Sequence, residues 1–142
     1  MRLFLDANVI FAAAYNPKGT PAQLIQCSEE KSWELITSVY AWHEVESNLK
    51  KKAPLYLERM ASIKPQIKVL KGPDSWSSDI PLKMKDVPIY RAALFHRCEY
   101  LITGDNRDFS PLIGQNYKLL TRILSPKQMM QLGTKHKKAP HD

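Results

Sequence analysis

The sequence predicts an α/β protein: a three-layer α/β/α sandwich around a mostly parallel central sheet of about five strands. Three observations predict it. Short runs rich in apolar residues, too short for surface helices, recur at 2–6, 33–37, 67–70, 100–103 and 117–124. Segments with helical spacing of apolar residues separate them. Two of the runs also end alike, in a carboxylate: Leu3-Phe4-Leu5 leads into Asp6, and Tyr100-Leu101-Ile102-Thr103 into Gly104-Asp105. Strands alternating with helices make a parallel sheet covered on both faces. Such sheets place their ligands beyond the carboxyl ends of the strands.

Each element has its local reason. After the first strand, residues 8–14 favour a helix, and Asn16-Pro17-Lys18-Gly19-Thr20 is a loop of turn residues. Thr20 can cap the next helix, with Pro21 as its first residue and Gln23 as capping-box partner. Trp33 to Thr37 is the second strand. Ser38 then caps a helix over 39–51, whose Val39, Trp42, Val45 and Leu49 recur near helical spacing. Pro54 opens a helix with Leu55, Leu57, Met60 and Ile63 on its apolar positions. Residues 67–70 are the third strand, and Gly72 to Ser78 a polar loop containing Trp76. Asp86-Val87-Pro88 starts a helix through Phe95. The last strand runs from Tyr117 to Leu124, carrying Leu119, Leu120, Ile123 and Leu124. Ser125-Pro126-Lys127-Gln128 repeats the capping-box pattern before Met129 and Met130, and Gly133 is a natural stop. Residues 1–133 therefore form one domain, and 134–142 a polar tail expected to be disordered.

The chain has 142 residues and a formal net charge of +7, from 21 Lys plus Arg against 14 Asp plus Glu. A basic excess is either a solvated surface or the footprint of a polyanionic partner, and nucleic acid is the usual one. No run approaches the length of a membrane span, and no segment reads as a basic amphipathic anchor. Cys27 and Cys98 lie far apart outside any metal-binding spacing, which fits buried reduced thiols and a cytoplasmic location.

Four carboxylates can meet at the rim made by the strand ends: Asp6, Glu44, Asp86 and Asp105, with Asp108 a fifth. Each has a plainer alternative. Asp86 before Val-Pro is a good helix cap. Glu44 can be part of a solvated helix face. Asp105 and Asp108 can be turn residues, and Asp108 can pair with Arg107 or Arg91. Asp6 is hardest to dismiss, because a carboxylate just after a buried strand costs stability unless it is compensated. Two carboxylates about 4 Å apart repel by about 4 kcal/mol at an effective dielectric of 20, so convergence needs shared protons or a cation. Oxygen-only ligands favour Mg²⁺ or Mn²⁺. His43, His96, His136 and His141 show no metal-site spacing.

With these residues in hand, the chain resembles the PIN-domain nucleases, especially the VapC-type toxin ribonucleases of toxin–antitoxin pairs. Leu3-Phe4-Leu5-Asp6-Ala7-Asn8, Thr37-Ser38 followed by Glu44-Val45, and Lys85-Asp86-Val87-Pro88-Ile89 carry the likeness. So do Leu101-Ile102-Thr103-Gly104-Asp105-Asn106-Arg107-Asp108-Phe109 and the closing Leu120 to Pro126. It spans residues 1 to about 132, and the order and spacing are more specific than any single motif. The polar stretch Lys71 to Lys85 departs from the helix common there in the family. The resemblance implies a parallel five-stranded sheet, one or two divalent ions, and cleavage of single-stranded or exposed RNA. It also implies an antitoxin protein as partner and a homodimer. Asp6, Glu44, Asp86 and Asp105 match the family's acidic quartet. Asn8 and Thr103 match polar positions beside it, and Asp108 an additional acid of some members.

The chemistry so implied is Mg²⁺- or Mn²⁺-dependent hydrolysis of RNA phosphodiesters. Asp6, Asp86, Asp105 and Glu44 would be the metal ligands, and Asn8, Thr103 and Asp108 would support them. Lys85, Arg91 and Arg107 are the substrate-binding candidates, followed by Lys83, Arg122 and Lys50-Lys51-Lys52. Those three lysines can equally complement the helix dipole. Trp76 is a candidate stacking residue, whereas Trp42 reads as core. A haloacid-dehalogenase-type enzyme would need a second Asp where this chain has Asn8, and a response-regulator receiver a late lysine where it has Asp105. The remaining alternative is a catalytically weak PIN-like module that binds RNA or protein.

Overall fold

The computed structural model describes residues 1–72, 86–105, 109 and 121–138, the last six as helical backbone only. Lys83, Lys85, Trp76, Arg107, Asp108 and the segment 117–120 lie outside the described residues. Five strands form one parallel sheet: β1 (Arg2–Leu5), β2 (Glu34–Ser38), β3 (Lys68–Leu70), β4 (Tyr100–Ile102) and β5 (Arg122–Leu124). Their order is β3-β2-β1-β4-β5. The first four expected strands hold to within a residue or two, the described part of the fifth is 122–124, and the fold class is the one predicted.

The helices are α1 (Ala7–Tyr15), α2 (Thr20–Gln26), α3 (Val39–Lys52), α4 (Leu57–Ile63), α5 (Val87–Phe95) and α6 (Pro126–Lys138). β1 is the central strand, and its Leu3, Phe4 and Leu5 are fully buried, as are Ile36 of β2 and Leu101 and Ile102 of β4. A strand covered on both faces has no reason to alternate, which is why these runs read as continuously apolar. Helix α1 packs against α2, α3 and α4, and α5 lies against β2 and β4. Trp42 is part of this core, with Lys64 Nζ 5.6 Å above its ring. Both cysteines are free: Cys98 is buried and Cys27 half-buried. No described helix is long and apolar enough to cross a membrane.

The expected caps form at the heads of α3 and α6. Ser38 Oγ accepts from Ala41 N at 3.1 Å. The Ser125–Gln128 pair is reciprocal: Gln128 N donates to Ser125 Oγ at 3.1 Å, and Ser125 N to Gln128 Oε1 at 2.8 Å. In α2 the cap is Gly19 rather than Thr20, and Gln23 Nε2 reaches the Lys18 carbonyl instead. Gly133 is no stop, since α6 continues to Lys138. One interior glycine costs a helix only about 1 kcal/mol relative to alanine. The expected tail from 134 is therefore helical for its first five residues. Ser38→Ala, which removes the cap at the head of α3, is expected to lower stability by about 1 kcal/mol in urea unfolding.

The two ends of the sheet differ in charge. At the amino ends, Glu34 accepts from Arg2 Nε at 3.3 Å and from Lys68 Nζ at 2.7 Å. The lysine bond, foremost, holds the Glu34 carboxyl below its usual range. At the carboxyl ends stand Asp6, after β1, and Asp105, after β4.

Candidate active site

The strand order reverses direction at β1. The chain moves from β1 through β2 to β3 on one side, then crosses to β4 and β5 on the other. The crevice between the carboxyl ends of β1 and β4 is thus the switch point where open α/β sheets bind ligands. Asp6 follows β1 there, and the register Leu5↔Ile102 sets it level with Thr103. On the other side, Phe4↔Ile36 sets it level with Ser38. Asp6 N donates to the Ile102 carbonyl at 2.9 Å, so the backbone is fixed on the β4 side. Thr37 Oγ1, buried at the end of β2, donates to the Leu5 carbonyl at 2.8 Å.

Asp6 serves two neighbours. It is the N-cap of α1, with Oδ1 accepting from Ala7 N at 2.7 Å. Its Oδ2 accepts from Thr103 Oγ1 at 2.8 Å. Thr103 is fully buried and joins the rest together. Its hydroxyl oxygen accepts from Asn8 Nδ2 at 3.3 Å and from Asp105 N at 3.1 Å. Asn8 Oδ1 in turn accepts from Gly104 N at 2.9 Å. Asn8, Thr103 and the Asp105 backbone therefore form one network that orients Asp6, as supporting groups do around a reactive carboxylate.

Asp6 is 6% exposed, and burial pushes its carboxyl up to about 6. The bonds from Thr103 and Ala7 pull the other way, and the charges of Asp86 and Glu44 raise it further. These two charges come from the head of α5 and from α3. Asp86 is buried at the head of α5, but its side chain does not cap the helix. The helix-cap explanation for Asp86 is thus set aside. Glu44 is exposed on α3 and Asp105 half-buried after β4. Asp105 is tied to the others through Thr103 and is not among the charges that act on Asp6.

The basic candidates separate. Helix α3 has 14 residues, about 20 Å at 1.5 Å per residue, and it begins beside Asp6. Lys50, Lys51 and Lys52 occupy its last turn, far from the crevice, where they complement the helix dipole. Arg122 opens β5 at the amino end of the sheet. Arg91 is half-buried on α5, five residues beyond Asp86. Two further residues escape a reading by motif. Thr37 pins the strand end beneath Asp6, and the Thr-Ser pair closing β2 was its only signal. Tyr90 sits one turn after Asp86 with a buried hydroxyl that has no hydrogen-bond partner among the described residues. Burial pushes its phenol up to about 12.

The donor chemistry suits a hard divalent cation. The donors are carboxylates, one of them buried and pressed by like charges, and Mg²⁺ commonly takes one or two carboxylates while keeping several waters. Among the described residues, no three acidic, histidine or cysteine side chains are grouped closely enough to hold an ion by themselves.

Comparison with known proteins bears on the fold and the family. No curated protein matches the sequence. Among solved structures, VapBC2 from Rickettsia felis bound to a DNA fragment from their promoter superposes with a TM-score of 0.66 at 11% identity. That match covers 88% of this chain and 98% of the other. VapBC-1 from nontypeable Haemophilus influenzae gives 0.61 at 14% identity, covering 89% and 99%. PAE2754 from Pyrobaculum aerophilum gives 0.64 at 16%, covering 95% and 99%. At these identities the likeness is one of fold. The family model of the PIN domain matches residues 2–107, three-quarters of the sequence, and the chain belongs to the PIN-domain family.

Proposed function

We propose that this protein is a divalent-metal-dependent endoribonuclease, the toxin of a toxin–antitoxin pair. The observation that carries the reading is Asp6: a buried carboxylate at the topological switch point, oriented by Thr103 and pressed by Asp86 and Glu44. Family membership and the VapBC-like fold support the same direction. Asp6, Asp86, Glu44 and Asp105 are the residues that would hold Mg²⁺ or Mn²⁺. When bound, such an ion acidifies water and offsets charge on a phosphoryl group.

The chain's own residues do the rest. Asp6 must be ionised to act, and the Thr103 hydroxyl stabilises that form while fixing the carboxylate plane. Asn8 holds both Thr103 and Gly104, and so the path of the chain into Asp105. Burial of Asp6 and Asp86 excludes bulk water and strengthens every charge interaction between them. The acids repel a phosphodiester, so the strand must be held from outside the crevice. Arg91 is the described candidate, with Lys85 and Arg107 outside the described residues. Asp108 would add a further acid after Asp105. A small antitoxin protein and a second copy of the chain complete the proposal.

The test is cleavage of labelled single-stranded RNA with Mg²⁺, with Mn²⁺ and with EDTA. Endonucleolytic products that appear with either ion and vanish in EDTA are expected. Cleavage that persists undiminished in EDTA would refute the metal requirement. RNA binding without turnover under every condition would instead favour the PIN-like binding module.

A further inference from the structure

Several large apolar side chains are exposed on the described surface, and one of them stands in the first turn of α3, beside the strand ends. Tyr15 lies 6.1 Å from the Phe11 ring and 5.0 Å from Tyr56, on the α1 flank away from the strand ends. Phe95 packs edge-on against His96 at the amino end of the sheet. Tyr40 differs. It is 44% exposed, in the first turn of α3, two residues past Ser38, which is level with Asp6. The buried face of α3 is Ala41, Trp42, Val45 and Leu49. Tyr40 and Glu44, four residues apart, share the opposite face and neighbour each other along it. Glu44 is one of the two carboxylates whose charge reaches Asp6. Ser38, level with Asp6, caps α3, so the first turn that carries Tyr40 starts at the carboxyl-end rim of the sheet.

We propose that Tyr40 is a stacking platform, its ring receiving an unpaired base of single-stranded RNA beside the linkage held at Asp6. The inference rests on the ribonuclease reading and names how that site grips its substrate. The need is physical. A crevice lined by acids repels the backbone, so part of the grip must come from groups that do not contact phosphate. An aromatic face supplies it without charge, and it accepts any base. Only an unpaired base has a free face to offer, so duplex RNA is excluded from this contact. Tyr40 thus gives a strand preference without a sequence preference.

The experiment compares wild type, Tyr40→Ala and Tyr40→Trp on single-stranded oligoribonucleotides, intact or with one abasic position scanned along them. Tyr40→Ala is expected to raise KM by about 5- to 100-fold with little change in kcat, and Tyr40→Trp to preserve it. At one abasic position, wild type and Tyr40→Ala should become equal. In parallel, 2-aminopurine at that position should be quenched on binding to Asp6→Asn protein, and not when Tyr40→Ala is added. Circular dichroism and thermal melting establish that the variants fold. An alanine effect undiminished on every abasic substrate, or no effect on intact RNA, overturns the platform and leaves the nuclease reading intact. Tyr40-dependent quenching without cleavage by wild type sinks the nuclease reading and keeps the platform. Absence of both binding and cleavage overturns both.

Discussion

Asp6→Asn is expected to lower metal-dependent RNA cleavage by about 10³-fold or more, the scale of several kcal/mol of lost electrostatic assistance. The substitution is mild in shape. Asparagine keeps an oxygen for Ala7 N, so the cap of α1 survives. What disappears is the charge, together with the acceptor for the Thr103 hydroxyl, and the lost charge has a second signature. The Asp6 carboxyl is raised from 3.8 to about 6. The native state therefore holds this proton more tightly than the unfolded chain does. The associated stability is complete below about pH 3.8 and falls as pH rises through about 6. The full term is about 3 kcal/mol, of which roughly half is lost between about pH 5 and 8. Urea unfolding at those two pH values should show wild type losing more stability than Asp6→Asn, by roughly 1–1.5 kcal/mol. At neutral pH, Mg²⁺ or Mn²⁺ should raise the Tm of wild type and leave the variant unmoved. Equal pH slopes in the two proteins, or cleavage retained within a fewfold, would remove Asp6 from the centre of the site.

The sheet was legible in the sequence because its central strands are covered on both faces. Leu3-Phe4-Leu5 and Leu101-Ile102 have no polar alternation to obscure them, and the acids after them stand out against that background. Strand ends are fixed by the same hydrogen-bond ladder that sets register, so Asp6 and Thr103 could be placed on one rim before their contact was known. The contact itself was not legible, since 97 residues separate its partners. Charge signs alone could not place the lysines at 50–52 or Arg122, because nothing in a linear string tells which end of a helix or strand meets the crevice. Asp86 read equally well as a cap. A cap is decided by the bond the side chain makes, and Asp86 holds the N-cap position of α5 without making one to the helix. Gly133 looked like a terminator, but a weak local penalty yields to a helix that is otherwise continuous. Tyr40 belongs to no motif, and its exposure emerges only when Trp42 and Val45 take the inner face.

Thr103→Val is expected to reduce cleavage at neutral pH by about 10- to 100-fold and to move the pH optimum upward. Valine has nearly the volume of threonine, so packing at this fully buried position changes little. Three hydrogen bonds vanish together: the donation to Asp6 Oδ2 and the acceptances from Asn8 Nδ2 and Asp105 N. Polar groups left buried without partners cost about 1–3 kcal/mol, which urea unfolding will register as a lower midpoint. The Thr103 bond is the foremost influence holding the Asp6 carboxyl down against burial. Its removal leaves that group above about 6, protonated over more of the working range. Since only the ionised carboxylate can serve, the acid limb of the kcat/KM profile should shift to higher pH, and part of the lost activity should return in alkaline buffer. Thr103→Ser keeps the hydroxyl and should keep the wild-type profile. A merely structural role predicts a loss that is the same at every pH. If the Thr103→Val profile superimposes on that of wild type after scaling, Thr103 supports the fold and does not position Asp6.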